Sequence, residues 1–82
     1  MNRPTIIAKL VEILGPLSEE RVPVIGEDTQ LTGDLELDSL KIMEMLTDAE
    51  DAFDISIPIN EVSDVKTVGD LADVIQKIGT NA

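Results

Sequence analysis

Apolar residues recur every three to four positions in three stretches of this chain, and each such stretch reads as an amphipathic helix. In residues 3–14, Ile6, Ile7, Leu10, Val11, Ile13 and Leu14 share one broad arc, with Lys9 and Glu12 outside it. Asn2 is placed as an N-cap, Pro4 suits the first turn, and Gly15-Pro16 reads as the stop. The second helix is expected over residues 39–53, capped by Asp38 or Ser39. The last opens at Thr67, with Asp70 three residues on as a capping-box acid. Val68, Leu71, Ala72, Ile75 and Ile78 share its apolar face, Asp70, Asp73 and Lys77 lie opposite, and Gly79 ends it. Residues 16–37 show no sustained period. Their scattered Leu17, Val22, Val24, Ile25, Leu31, Leu35 and Leu37 suggest a loop pinned over the core, with Asp28-Thr29 able to cap a turn. After Phe53 the alternation in DISIPIN is short and broken by Pro58, so it reads as a connector. Asn60 then caps a brief helix through Glu61, Val62 and Ser63. The expected fold is an all-α four-helix bundle: three longer helices, a short third one, and a long loop between the first two.

The chain has 82 residues, which suits one domain over 1–82. Hydrophobic residues make up 43%, and Phe53 is the one aromatic, so the core must be aliphatic. Seventeen acids against six bases give a formal net charge of −11. That argues against nucleic acid and anionic membranes as partners and for a basic protein surface, although acidity also serves solubility alone. There is no Cys and no His, which excludes disulfides, Cys/His zinc sites and catalysis by either residue. Lys9 and Glu12 interrupt the apolar start, against a signal peptide, and no window approaches a transmembrane length. A monomer in the cytoplasm is expected.

The second helix repays helical arithmetic. With Ser39 at 0°, Ile42, Met45, Leu46, Ala49, Ala52 and Phe53 cluster between about 220° and 340° as a core stripe. Glu44, Asp48 and Asp51 fall between about 120° and 180°, and Glu50 near 20°. Leu40, Met43 and Thr47 sit on the outward side beside the acids. Apolar residues next to an acidic row suit docking: charge steers a basic partner and apolar contact holds it. The ordinary explanation is a solvated face, with Leu40 or Met43 covered by the loop or a neighbouring helix. Ser39 likewise has an ordinary explanation as a cap, yet a hydroxyl at a helix N-terminus is also well placed to carry a phosphodiester. As a hydrolase nucleophile Ser39 lacks both a His and a GxSxG turn. As a calcium loop, Asp34-x-Glu36-x-Asp38 puts Ser39 where the sixth-position Gly belongs and Met45 where the twelfth-position Glu belongs, so no metal site is expected.

The stretch GDLELDSLKIMEML followed by EDAFDISIP resembles the acyl carrier proteins, as does the TVGDLADVI of the last helix. That likeness covers essentially the whole chain. It implies that Ser39 receives 4'-phosphopantetheine from coenzyme A through a phosphopantetheinyl transferase, with Asp38 and Leu40 completing the attachment motif. It further implies that acyl groups ride on the arm as thioesters, which fits a chain without its own thiol. The chain would be a carrier and not an enzyme, with no catalytic residue of its own. Glu44, Glu50 and Asp51 match acidic positions that such carriers offer to basic loading and acyl-transfer enzymes, and Met43 matches an apolar one. Asp48 rests on the helical-face argument, and Thr47 on its place between them. Two residues depart from the fatty-acid pattern. Lys41 stands where an acid is usual, and Leu37 replaces a small residue, giving an LDSL similar to carriers that load amino acids. An aminoacyl carrier served by an amino-acid-activating ligase therefore stays open. So does an unmodified acidic interaction module, with an enzyme a distant last.

Overall fold

The helices are α1 (Arg3–Leu17), α2 (Ser39–Phe53), α3 (Ile59–Val62) and α4 (Val68–Asn81). They are seen in a computed structural model that describes residues 2–19 and 23–81, the side chains of Thr80 and Asn81 excepted. Val22 lies outside that set. Among the described residues there is no strand, only an antiparallel bridge between Gln30 and Thr67. The arrangement is the expected all-α one, with a short third helix and a long first connection. Among the described residues no helix is long and apolar enough to cross a membrane.

Local chemistry sets the helix starts. The Thr5 N–H donates to Asn2 Oδ1 at 2.9 Å, and Pro4 sits in the first turn where its missing N–H costs nothing. Two ends differ from the sequence reading. α1 runs through Gly15 and Pro16 to Leu17, and α4 runs past Gly79 to Asn81. No glycine here adopts a positive φ, so neither Gly15 nor Gly79 forms the left-handed cap that would have ended its helix. Pro16 falls in the last turn, where it removes a single bond to the carbonyl of exposed Glu12. Continuing the helix buries Ser18, whose hydroxyl donates to Gly15 O at 3.1 Å, and the left-handed Glu19 stops it. Asn60 is also corrected. It lies inside α3, whose N-cap is Pro58 with no side-chain bond.

The long loop is part of the core. Leu31, Leu35 and Leu37 are buried, Leu17 and Ile25 pack against them, and Val24 alone of the described loop aliphatics is 79% exposed. The loop also completes α4. Thr29 O accepts from Val68 N–H at 3.0 Å and Glu27 O from Gly69 N–H at 2.8 Å, satisfying two donors that a helix start leaves over. A Cβ on Gly69 would stand 3.0 Å from Glu27 O, so any larger residue would push the loop back by a few tenths of an ångström. Thr29 closes the turn before it, its Oγ1 accepting from Gly26 N–H at 2.9 Å, instead of capping a turn after it. Arg3 joins α1 to both partners, donating to Asp73 at 2.8 Å and to Glu27 at 3.0 Å.

The core is aliphatic, as composition requires. Ile6, Leu10 and Leu14 of α1 meet Val68, Leu71, Ala72 and Ile75 of α4 and Met45, Leu46 and Ala49 of α2. The backbone of α1 lies close to both α2 and α4, that of α3 close to α4 only.

The capping box at α4 is formed. Asp70 accepts from the N–H groups of Lys66 and Thr67, each at 3.1 Å, while Asp70 N–H donates to Thr67 Oγ1 at 3.1 Å. The Lys66 and then the Thr67 N–H hold the carboxyl below its ordinary value of 3.8. A lowered folded-state pKa stabilises the fold above the unfolded value, and that contribution fades as pH falls through the folded one. Asp70→Asn should therefore be less stable than wild type in urea at about pH 6, with the gap closing between about pH 4 and pH 2.

Candidate functional site

Ser39 is the first residue of α2, and its position resolves which of two neighbours is the cap. Asp38 is extended (φ −87°, ψ −179°), and its Oδ1 accepts from Lys41 N–H at 2.9 Å. Its carbonyl accepts the first helical bond, from Ile42 N–H at 2.9 Å. Ser39 is exposed, and among the described residues its hydroxyl enters no hydrogen bond. The hydroxyl is thus released from structural duty at the positive end of a fifteen-residue helix. Buried Leu37 anchors the approach from one side, and the left-handed Glu36 at φ 54° turns the chain toward it.

The outward strip of α2 appears as the helical arithmetic placed it. Leu40 is 70% exposed and Met43 49%. With Glu44, Thr47 and Asp48 they line a shallow groove of about 270 Å³ that starts one residue after Ser39. Thr47 Oγ1 donates back to Met43 O at 3.0 Å, so its methyl is left for the groove. Glu44, Asp48 and Asp51 are exposed, and none forms an ion pair among the described residues. Asp51, in the last turn of α2, faces the negative end of the helix dipole and gains no stabilisation from it.

Glu50 stands apart from the row. It is half-buried, and its Oε2 accepts from Ile57 N–H at 2.7 Å, pinning the connector after α2. Ala52, assigned by angle to the core stripe, is exposed, because no element covers that side of the helix end. Lys41, the odd base in the motif, is accounted for by the fold. Its Nζ donates to Leu17 O at 3.0 Å and lies 3.9 Å from Glu19, at the negative end of α1. The sequence carried a trace of this. Lys41 falls about 200° from Ser39, between the acidic row and the core stripe, where a long side chain reaches a neighbouring helix.

The start of α2 thus combines a side-chain cap at Asp38, an exposed and unengaged hydroxyl at Ser39 and a strip of exposed acids beside a shallow groove. Residues 5–75 match the family model described as "Phosphopantetheine attachment site". The acyl carrier protein of Borreliella burgdorferi (strain ZS7) is 36% identical over 77 residues, covering 94% of this chain and 96% of the relative. That of Acidothermus cellulolyticus is 32% identical over 82 residues, covering 100% and 98%. That of Beutenbergia cavernae is 39% identical over 70 residues, covering 85% of each. The chain belongs to the acyl carrier protein family, and its cofactor is 4'-phosphopantetheine. Members of this family are carriers, not catalysts.

Proposed function

We propose that this chain, a single cytoplasmic carrier domain and not an enzyme, bears its phosphopantetheine on the Ser39 oxygen and presents acyl groups to partner enzymes. The observation that carries this reading is the division of labour at the start of α2: Asp38 caps, so the Ser39 hydroxyl is exposed and unengaged. The residues fit the group, since a phosphodiester there meets the positive end of the helix. The bound arm supplies the thiol to which an acyl group is joined. Asp38 holds the helix start rigid, and Leu40 offers an apolar contact beside the arm to the phosphopantetheinyl transferase. Both departures from the fatty-acid pattern serve the fold, Leu37 in the core and Lys41 on α1, so neither favours an aminoacyl cargo.

Treatment with a phosphopantetheinyl transferase and coenzyme A should raise the intact mass by one phosphopantetheine, confined to the proteolytic fragment containing Ser39. An unchanged mass under conditions that modify a known carrier would leave an acidic interaction module as the better reading.

Leu40, Met43, Glu44, Thr47, Asp48 and Asp51 form the proposed docking face toward basic partner enzymes. Glu50 belongs at its edge through its second carboxylate oxygen. Glu44→Lys or Asp51→Lys should slow acyl transfer by a partner about tenfold at low salt, by setting like charges together. Circular dichroism should show unchanged helicity. Equal transfer rates would mean that the acids are merely solvated.

A further inference from the structure

The chain has no cysteine, so redox chemistry of its own side chains falls to methionine. Met43 and Met45 stand two positions apart on α2, about 200° around the helix, in opposite surroundings. Met45 is 1% exposed and belongs to the core, whereas Met43 is 49% exposed and lines the groove of the docking strip. Met1 lies outside the described residues.

An oxygen added to the Met43 sulfur would leave the charge of the strip unchanged and alter its polarity. Leu40, Met43 and Thr47 supply the apolar part of the groove, Glu44 and Asp48 its charge. The one hydroxyl in the lining, Thr47 Oγ1, already donates to Met43 O at 3.0 Å, and carboxylates only accept. The groove therefore offers a sulfoxide oxygen no side-chain donor. Water would satisfy it, and a partner seated on the strip would have to strip that water away. Glu44 and Asp48 also select the oxidant: they repel an anion and leave a neutral peroxide unhindered.

We infer that Met43 is a reversible oxidation switch on the docking strip, set by a neutral peroxide and reset by a methionine sulfoxide reductase. This deepens the docking reading above and rests on it. The sulfur lone pair attacks one peroxide oxygen, and the S–O bond forms as the O–O bond breaks. The departing hydroxide takes the proton from the new oxygen and leaves as water, so sulfur loses the two electrons that the peroxide gains. The reductase returns the oxygen as water while two thiols become a disulfide. Because the sulfoxide is neutral, it loosens the apolar hold on the partner and spares electrostatic steering, the reverse of what Glu44→Lys does.

The test treats the full apo chain with hydrogen peroxide, since the thiol of an attached arm would itself be oxidised. Glu44 lies between the two methionines, so cleavage after glutamate separates them for mass analysis. Met43 should gain one oxygen at least about tenfold faster than Met45, with helicity unchanged. After removal of peroxide, kcat/KM for arm attachment by a phosphopantetheinyl transferase should fall about three- to tenfold through KM, with its salt dependence unchanged. The reductase should restore it. Met43→Leu should show the same kcat/KM before and after peroxide, whatever its untreated value. Equal oxidation of Met43 and Met45, an unchanged kcat/KM in the Met43 sulfoxide, or an equal loss in peroxide-treated Met43→Leu would overturn the inference and leave the carrier reading standing. An untreated chain that accepts no arm would overturn both.

Discussion

Ser39→Ala is expected to abolish attachment of phosphopantetheine completely while leaving the fold at wild-type stability. The acceptor oxygen is lost outright, and no positional substitute exists within the Asp38-Ser39-Leu40 turn, where Asp38 is committed to Lys41 N–H. The helix is indifferent because Ser39 is exposed and takes no part in capping. Asp38→Ala should behave in the opposite sense. It keeps the hydroxyl but removes the cap, which costs about 1 kcal/mol of stability. Intact mass after transferase treatment and urea unfolding of both variants check the pair. If Ser39→Ala still gains the arm, the attachment point lies elsewhere in the chain. If Ser39→Ala is as destabilised as Asp38→Ala, the hydroxyl has a structural role.

Leu35→Ala should be among the most damaging substitutions in the chain, although it lies in the loop. Leu35 is fully buried, and its N–H donates to Gln30 O at 3.1 Å, so the loop backbone holds the side chain in the core. Truncating a buried leucine costs about 2–5 kcal/mol through lost transfer energy and the residual cavity. Small domains have about 0.05–0.15 kcal/mol of stability per residue, so this is a large fraction of the total. Val24→Ala, in the same loop and 79% exposed, should change stability by less than about 0.5 kcal/mol. Urea denaturation of both variants distinguishes a loop that forms the core from one that covers it; equal midpoints would contradict the burial pattern.

The features legible along the chain share a short range. Helix faces depend on contacts three or four residues apart, and so do the Asn2 cap and the Thr67-Asp70 box. The outward strip of α2 was legible for the same reason. Helix ends were less so. Gly15, Pro16 and Gly79 are permissive signals: each allows a stop, and a helix that still gains burial or bonds continues through them. Ala52 shows the converse, since an angle names a face but not whether another element covers it.

The sequence by itself determined that residues 33–53 would bring a hydroxyl to the start of an acidic amphipathic helix, because cap chemistry and helical period are properties of neighbours. The folded structure decided between the two local alternatives: Asp38 caps and Ser39 is free. Tertiary packing also sent Glu50 to Ile57 N–H and drew Lys41 onto the end of α1. Apart from the cap itself, these depend on where one segment folds against another, and that is fixed by packing of the whole aliphatic core and not by any local spacing.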